Sequence, residues 1–209
     1  PPRSTLFPYT TLFRSAAPFF NNRSTGPKDG MEKSYDEILR VLQRLGPVRD
    51  GFVFKGSDRY MPGPRQPVDS PAARDLIQRA MGGNEHDPLY VLAVGAPTNV
   101  ASAILLEPAI VRRIVVVWLG GQPHEWHTAH EFNLRQDMPA SKLLFDCGVP
   151  LVQIPCTNVA EHLRTTIPEL AACLQGRRAL GDYLFEIVSG YHHDHFAWSK
   201  VLWDISAVA

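Results

Sequence analysis

Three stretches of this chain are apolar, or broken by a single glutamine, and end at glycine or proline. They are residues 89–94 (LYVLAV, between Pro88 and Gly95), 114–119 (IVVVWL, ending at Gly120-Gly121) and 151–154 (LVQI, ending at Pro155). Continuous apolar runs of this length predict strands buried in a parallel sheet. Residues 51–54 predict a further short strand. Between the runs the period changes to that of a helix. Ile38, Val41, Leu42 and Leu45 fall at i, i+3, i+4 and i+7, predicting a helix over 34–45. Ser34 and Glu37 are spaced as a capping box, and Gly46-Pro47 stops the helix. Ser70-Pro71 opens a second helix over 71–81, with proline at the first helical position. Further helices are expected at 100–106, 139–147 (stopped by Gly148), 168–174 and 179–191, with helical turns at 108–113 and 159–163. Residues 56–69 are rich in proline and glycine and read as a surface loop. Strands alternating with helices at this rhythm predict an α/β fold, a layered, mostly parallel, Rossmann-like central sheet with helices on both faces.

The stretch that organises the rest is the polar loop over 120–133. It follows the most apolar strand and holds His124, His127, His130, Glu125 and Glu131. Ligands of open α/β sheets bind in the crevice beyond the carboxyl ends of the strands, which is where this loop falls.

Composition narrows the function. The chain has 209 residues, with 44% hydrophobic and 20% charged residues, as in an ordinary globular domain. Lys+Arg and Asp+Glu both count 21, so no net field points to a nucleic acid polymer or an anionic membrane. No apolar run approaches the ~18 residues of a membrane span. The three cysteines, Cys147, Cys156 and Cys173, have no metal-ligand spacing and read as buried thiols of a reducing compartment, so a cytoplasmic location is expected. Homo-oligomerisation is left open.

Residues 5–15 read TLFPYTTLFRS, the string obtained when a common short-read sequencing adapter is translated in frame. Residues 1–15 are therefore expected to be a non-native segment, and 16–209 the domain, cut short at both ends: an apolar face is still running at Ala209.

The chain has no GxGxxG, GxxxxGK[ST], GxSxG or HExxH, which removes the local signatures of dinucleotide, nucleotide triphosphate, serine hydrolase and zincin chemistry. What remains is polar residues after apolar runs: Thr98 and Asn99, then Glu131 and Asn133, then Asp204 late in the chain. The histidines fall in two clusters, at 124, 127 and 130 and at 192, 193 and 195. Both suit solvated or acid–base roles better than a tetrahedral metal site. Asn21 reads either as a turn-former or as a site residue.

Four segments, AVGAPTNVASAILLEP (93–108), VVVWLGG (115–121), EFNLRQDMPASKLLFDCGVPL (131–151) and WDISAVA (203–209), make the chain resemble the inosine-uridine-preferring nucleoside hydrolases from about residue 17 onward. That resemblance implies cleavage of the N-glycosidic bond of a small-molecule ribonucleoside, with one calcium ion held at the strand ends. It assigns to the metal the backbone carbonyl of Thr98 and the carboxylate of Asp204, and to the sugar Glu131, Asn133 and Asn21. An oxocarbenium-like transition state puts positive charge on the ribosyl ring, which carboxylates and amide oxygens stabilise where water is excluded. The chain departs from the family in two ways. The family's DxDxxxDD cluster, source of the other metal carboxylates and of the base, has no match here. The histidine that protonates the leaving base is replaced by Trp203, so Trp203 and His127 are the candidates at that catalytic position. A nucleoside-binding protein with impaired catalysis and an unrelated sugar-binding α/β domain are the alternatives.

Overall fold

The computed structural model describes residues 14–83 and 85–208. Its centre is a three-stranded parallel sheet in the order β1-β2-β3, formed by β1 (Leu89–Ala93), β2 (Ile114–Leu119) and β3 (Leu151–Ile154). The register pairs Val91 with Val116 and Trp118 with Gln153. Alternation along β2 sends Ile114, Val116 and Trp118 to one face, where α2 (Pro71–Gly82), α3 (Thr98–Leu106) and α5 (Met138–Asp146) bring Ala73, Ala80, Val100, Ala103, Ile104 and Leu144 against them. Trp118 is 0% exposed. Its indole N–H is satisfied by the Gly95 carbonyl at 3.0 Å. Burying about 200 Å² of tryptophan is worth about 5 kcal/mol at about 25 cal/mol/Å². The opposite face is closed at its carboxyl end, where Leu119 and Ile154 pack with Cys156 and Ala160. Tyr90 and Val152 on that face remain 57% and 50% exposed.

The helices follow their caps. α2 begins where expected, the Ser70 side chain accepting from the Ala73 N–H. The first helix does not begin at Ser34. α1 spans Pro27–Gln43, with Pro27 opening it and the Asp29 carboxylate accepting from the Thr25 N–H at 2.8 Å. Ser34 thus lies mid-helix and forms no capping box. The earlier start is fixed by packing: Gly30 lies so close to Phe19 that a Cβ there would stand 2.0 Å from its carbonyl oxygen.

Two other expectations are corrected. Residues 51–54 form no strand of the sheet. Among the described residues their pairing is a single parallel bridge, from Phe54 to Ser15. The loop over 56–69 is on the surface at Asp58, Arg59, Pro62, Pro64, Arg65, Gln66 and Asp69, but it is anchored in the core between them. Met61 and Val68 pack against Ala101 and Ala140, and its backbone is held from inside. Ser57 N–H donates to Asn99 Oδ1 at 2.8 Å, Met61 N–H to Asp137 Oδ2 at 2.9 Å and Val68 N–H to Ser102 Oγ at 3.0 Å.

Of the expected non-native segment, residues 1–13 lie outside the described residues. Arg14 and Ser15 are bound to the body, Arg14 by its carbonyl to Phe54 N–H at 2.7 Å and by its guanidinium to Asp75 at 3.7 Å.

After β3 come a 3-10 turn at Ala160–His162, β4 (Arg164–Thr165), α6 (Ile167–Leu174), α7 (Ala179–Ser189), β5 (Lys200–Val201) and a 3-10 helix at Trp203–Ala207. The short antiparallel pair β4-β5 matches Thr165 with Lys200. It returns the end of the chain to the sheet, so the 3-10 helix bearing Asp204 packs against β2. Among the described residues no helix is long and apolar enough to cross a membrane.

Candidate active site

β2 ends in the Gly120-Gly121 turn, and the loop that follows returns at Glu131, the N-cap of α4 (Phe132–Gln136). The Glu131 carboxylate accepts the N–H groups of Asn133 (3.0 Å), Leu134 (3.0 Å) and, across the loop, Gly121 (2.9 Å). Three backbone donors hold one carboxylate at the carboxyl end of the central strand. Asn133, buried beneath it, donates from Nδ2 to the Leu119 carbonyl at 2.9 Å, which fixes its amide plane.

Asp204 comes to the same place from the other end of the chain. Its residue surface is exposed, yet its carboxyl is crowded enough for burial to raise its pKa, with the negative Glu131 raising it further and Lys200 opposing. Cys156 is close to both acids. Burial, with the adjacent Glu131 carboxylate next in effect, pushes its pKa well above the usual thiol range, and Asp204 and Glu161 add to it. A shift in that direction disfavours the thiolate, the nucleophilic form.

Thr98 stands at the end of the neighbouring strand as the first residue of α3. It is 0% exposed, its hydroxyl donates to Asp137 Oδ2 at 2.7 Å, and its backbone carbonyl lies at the start of the α3 hydrogen-bond ladder. Asn99 does more than begin a helix. Its Nδ2 donates to the Ala16 carbonyl at 2.9 Å while its Oδ1 holds Ser57.

Asn21 adopts its turn-forming role. Its Oδ1 accepts the Arg23 N–H at 2.8 Å and its own N–H goes to Ser24 Oγ at 3.0 Å. The segment lies near α4 all the same, because Gln136 Oε1 and Nε2 bind the N–H and carbonyl of Phe20 at 2.8 and 3.1 Å. His127 is exposed on the loop, its ring 5.3 Å from that of Trp126. Trp203 adjoins Asp204 in the 3-10 helix and is 36% exposed. His192 and His195 gather around Trp198, with ring centroids 5.7 Å away in each case, and Tyr191 stacks on the same indole while Lys200 lies over the tyrosine ring. Among the described residues no group of three or more His, Cys, Asp or Glu side chains is placed to hold a metal ion.

Three residues of the site were not singled out from the sequence. Asp137 was signalled by its place before Met138-Pro139, the pattern of an N-cap. Gln153 was signalled as the polar residue in the apolar run of β3. Cys156 carried no signal beyond being a cysteine after a strand.

Comparison with known proteins gives a consistent picture. Residues 23–209 match the family described as inosine-uridine preferring nucleoside hydrolase. Similar proteins include a pyrimidine-specific ribonucleoside hydrolase RihA of Klebsiella pneumoniae, 26% identical over 138 residues, covering 64% of this chain and 44% of that relative. The RihA of Citrobacter koseri is 35% identical over 144 residues, covering 58% of this chain and 46% of that relative. The chain thus spans about half the length of the curated relatives it matches. The crystal structure of an inosine-uridine preferring nucleoside hydrolase from Bacillus anthracis shares the fold, with a TM-score of 0.51 at 18% identity, over 68% of this chain and 48% of that one.

Proposed function

The chain belongs to the inosine-uridine preferring nucleoside hydrolase family, and from that premise we propose that its site binds a ribonucleoside and serves hydrolysis of the N-glycosidic bond. In that reaction the bond between C1′ and the base nitrogen breaks. The hydroxyl of water joins C1′, and a proton ends on the departing base. The observation that carries the reading is that the Asp204 carboxyl, brought back to the end of β2 by the last 3-10 helix, lies near enough to Glu131 for the two charges to act on each other. Two carboxylates left crowded and close together are unfavourable to the apo protein. They are favourable to a ribosyl ring that gains positive charge in the transition state.

Each chain residue then has a task. Asn133, its amide fixed by Leu119, presents its side chain to a sugar hydroxyl. Glu131 has about four acceptor positions. Three take backbone N–H groups, which leaves one for a sugar hydroxyl. Trp203 has an indole N–H far too weakly acidic to give up its proton to the departing base, so the base leaves without an acid at that position unless His127 swings in from the loop.

Calcium belongs to this reading, with the Thr98 carbonyl and the Asp204 carboxylate among its donors. Calcium takes about 6–8 oxygens. The described residues alone do not complete that shell, and no step here is routed through the ion.

The test is ribose release from inosine and uridine, with calcium and with chelator, for the wild type, Asp204→Asn and Asn133→Ala. Calcium-dependent release that both substitutions abolish is expected. Release that ignores chelator and both substitutions would place the chemistry elsewhere. The presence of Trp203 favours a second reading, a nucleoside-binding protein with impaired catalysis. It is distinguished by calorimetric binding of a nucleoside that is recovered intact.

A further inference from the structure

Gln153 points a polar side chain out of an apolar strand. It lies in β3 opposite Trp118 of β2, and its amide reaches over the end of β2. Nε2 donates to the carbonyls of Gly120 at 3.0 Å and Gln122 at 3.2 Å, one on each side of Gly121. Oε1 meets His124 Nε2 at 3.0 Å. Both amide hydrogens and the carbonyl oxygen are thus used within a single turn.

The residue between those carbonyls is the one whose N–H holds Glu131. Gly121 has φ +76°, a left-handed conformation that favours glycine, and a Cβ there would stand 2.9 Å from Gln153 Nε2. Its N–H donates to Glu131 at 2.9 Å and its carbonyl accepts the Cys156 N–H at 3.1 Å. The Gln122 side chain extends the same clamp, accepting from Thr157 N–H at 3.2 Å and donating to the His130 carbonyl at 3.4 Å, next to Glu131.

We propose that Gln153 is a positioning residue that locks the Gly121 turn and, through the Gly121 N–H, aims the Glu131 carboxylate at the bound sugar. This rests on the reading of Glu131 as a sugar ligand. The physical reason is the origin of the support. Loop 122–130 is exposed along most of its length and cannot hold its own end in register. A side chain anchored in a strand can, because the strand is fixed by its neighbours. A valine or isoleucine at 153 would fill the strand equally well and leave the two carbonyls without their donor.

Two substitutions separate the parts of the amide. Gln153→Met removes both the donor and the acceptor. Gln153→Glu keeps an acceptor for His124 but withdraws the donor from both carbonyls. Val152→Ala, at an exposed neighbour on the other face, is the control. Two measurements apply to the 209-residue chain: hydrogen exchange of the Gly121 amide by ¹⁵N NMR, and ribose and inosine binding by calorimetry. Both Gln153 variants are expected to speed Gly121 exchange at least ten-fold and to weaken binding at least ten-fold, while Val152→Ala changes neither. Gly121 exchange at the wild-type rate in both variants overturns the role of Gln153. So does unchanged affinity in folded variants that only melt earlier, since that is a structural role alone. Wild-type affinity in Gln153→Glu with loss in Gln153→Met would assign the effect to the His124 contact instead. Failure of the wild type to bind either probe refutes the sugar-binding reading, and the Gly121 exchange still decides whether Gln153 holds the turn.

Discussion

Thr98 donates its hydroxyl to Asp137 at 2.7 Å, joining the first residue of α3 to the N-cap of α5. Asp137 is 1% exposed and also accepts the N–H groups of Met61 (2.9 Å) and Ala140 (3.0 Å). Three donors from three parts of the chain meet on one buried carboxylate. Removing it leaves all three without an acceptor, at about 1–3 kcal/mol for a buried orphan and about 1 kcal/mol for the lost cap. Asp137→Ala is therefore expected to lower stability by about 3 kcal/mol. The check is urea unfolding, with the midpoint displaced and the slope unchanged. A loss below about 1 kcal/mol would show that the three segments are held together by other contacts.

Gly56 marks a close approach of two backbones. A Cβ there would stand 1.8 Å from the Ala16 carbonyl oxygen and 2.6 Å from Asn99 Nδ2. The first obstacle is main chain and cannot rotate aside. Gly56→Ala is expected to cost about 2 kcal/mol or more, within the range of overpacking, whereas Gly63→Ala, whose Cβ finds its nearest neighbour at 3.5 Å, is expected to be nearly neutral. Equal melting temperatures for the two variants would contradict this.

Tyr60 gives a pH signature. Its hydroxyl donates to Gln136 Oε1, and burial, with the Asp137 charge adding to it, raises its pKa from 10.0 to about 12. The folded state keeps this proton longer than the unfolded chain does. Ionisation therefore favours unfolding between those two values, and stability falls as pH rises from 10.0 towards 12. Below that window the group has no pH-dependent effect. Tyr60→Phe is expected to lose less stability than the wild type from pH 10 to pH 12, measured by urea unfolding at each pH. Parallel curves for the two proteins would refute the shift.

The 209-residue chain as written is expected to hydrolyse nucleosides slowly. Two candidate calcium donors, Thr98 and Asp204, fall far short of the about 6–8 oxygens calcium takes. No described residue is placed as a base for the water, and general base catalysis contributes about 10²–10⁴-fold. Ribose release from inosine at saturating calcium measures this. Fast, chelator-insensitive release would contradict this.

The sequence by itself determined the alternation of elements. β1, β2 and β3 lie on the apolar runs at 89–94, 114–119 and 151–154, and α2 opens at the Ser70 cap. These signals are local, because a side chain's burial in a strand or helix follows from its position in the repeat. Family membership was legible for a related reason, the EFN stretch and its flanks being contiguous. Tertiary structure decided what depends on a partner. A capping box at Ser34 was written in the chain, but Gly30 under Phe19 and Pro27 at the helix start moved the first turn back. Residues 51–54 had the composition of a strand, yet among the described residues only Phe54 is paired, with Ser15, since a ladder is formed by two segments and composition describes one. The loop at 56–69 read as exposed from its prolines and glycines, yet Asn99, Ser102 and Asp137, more than thirty residues away, hold it from inside. The working arrangement of Glu131 is of the same kind. Its residue type was readable, but the Gly121 N–H, the Cys156 thiol and the Asp204 charge reach it only because the chain folds back, and a hydrogen bond or a Coulomb interaction depends on distance in space rather than along the sequence.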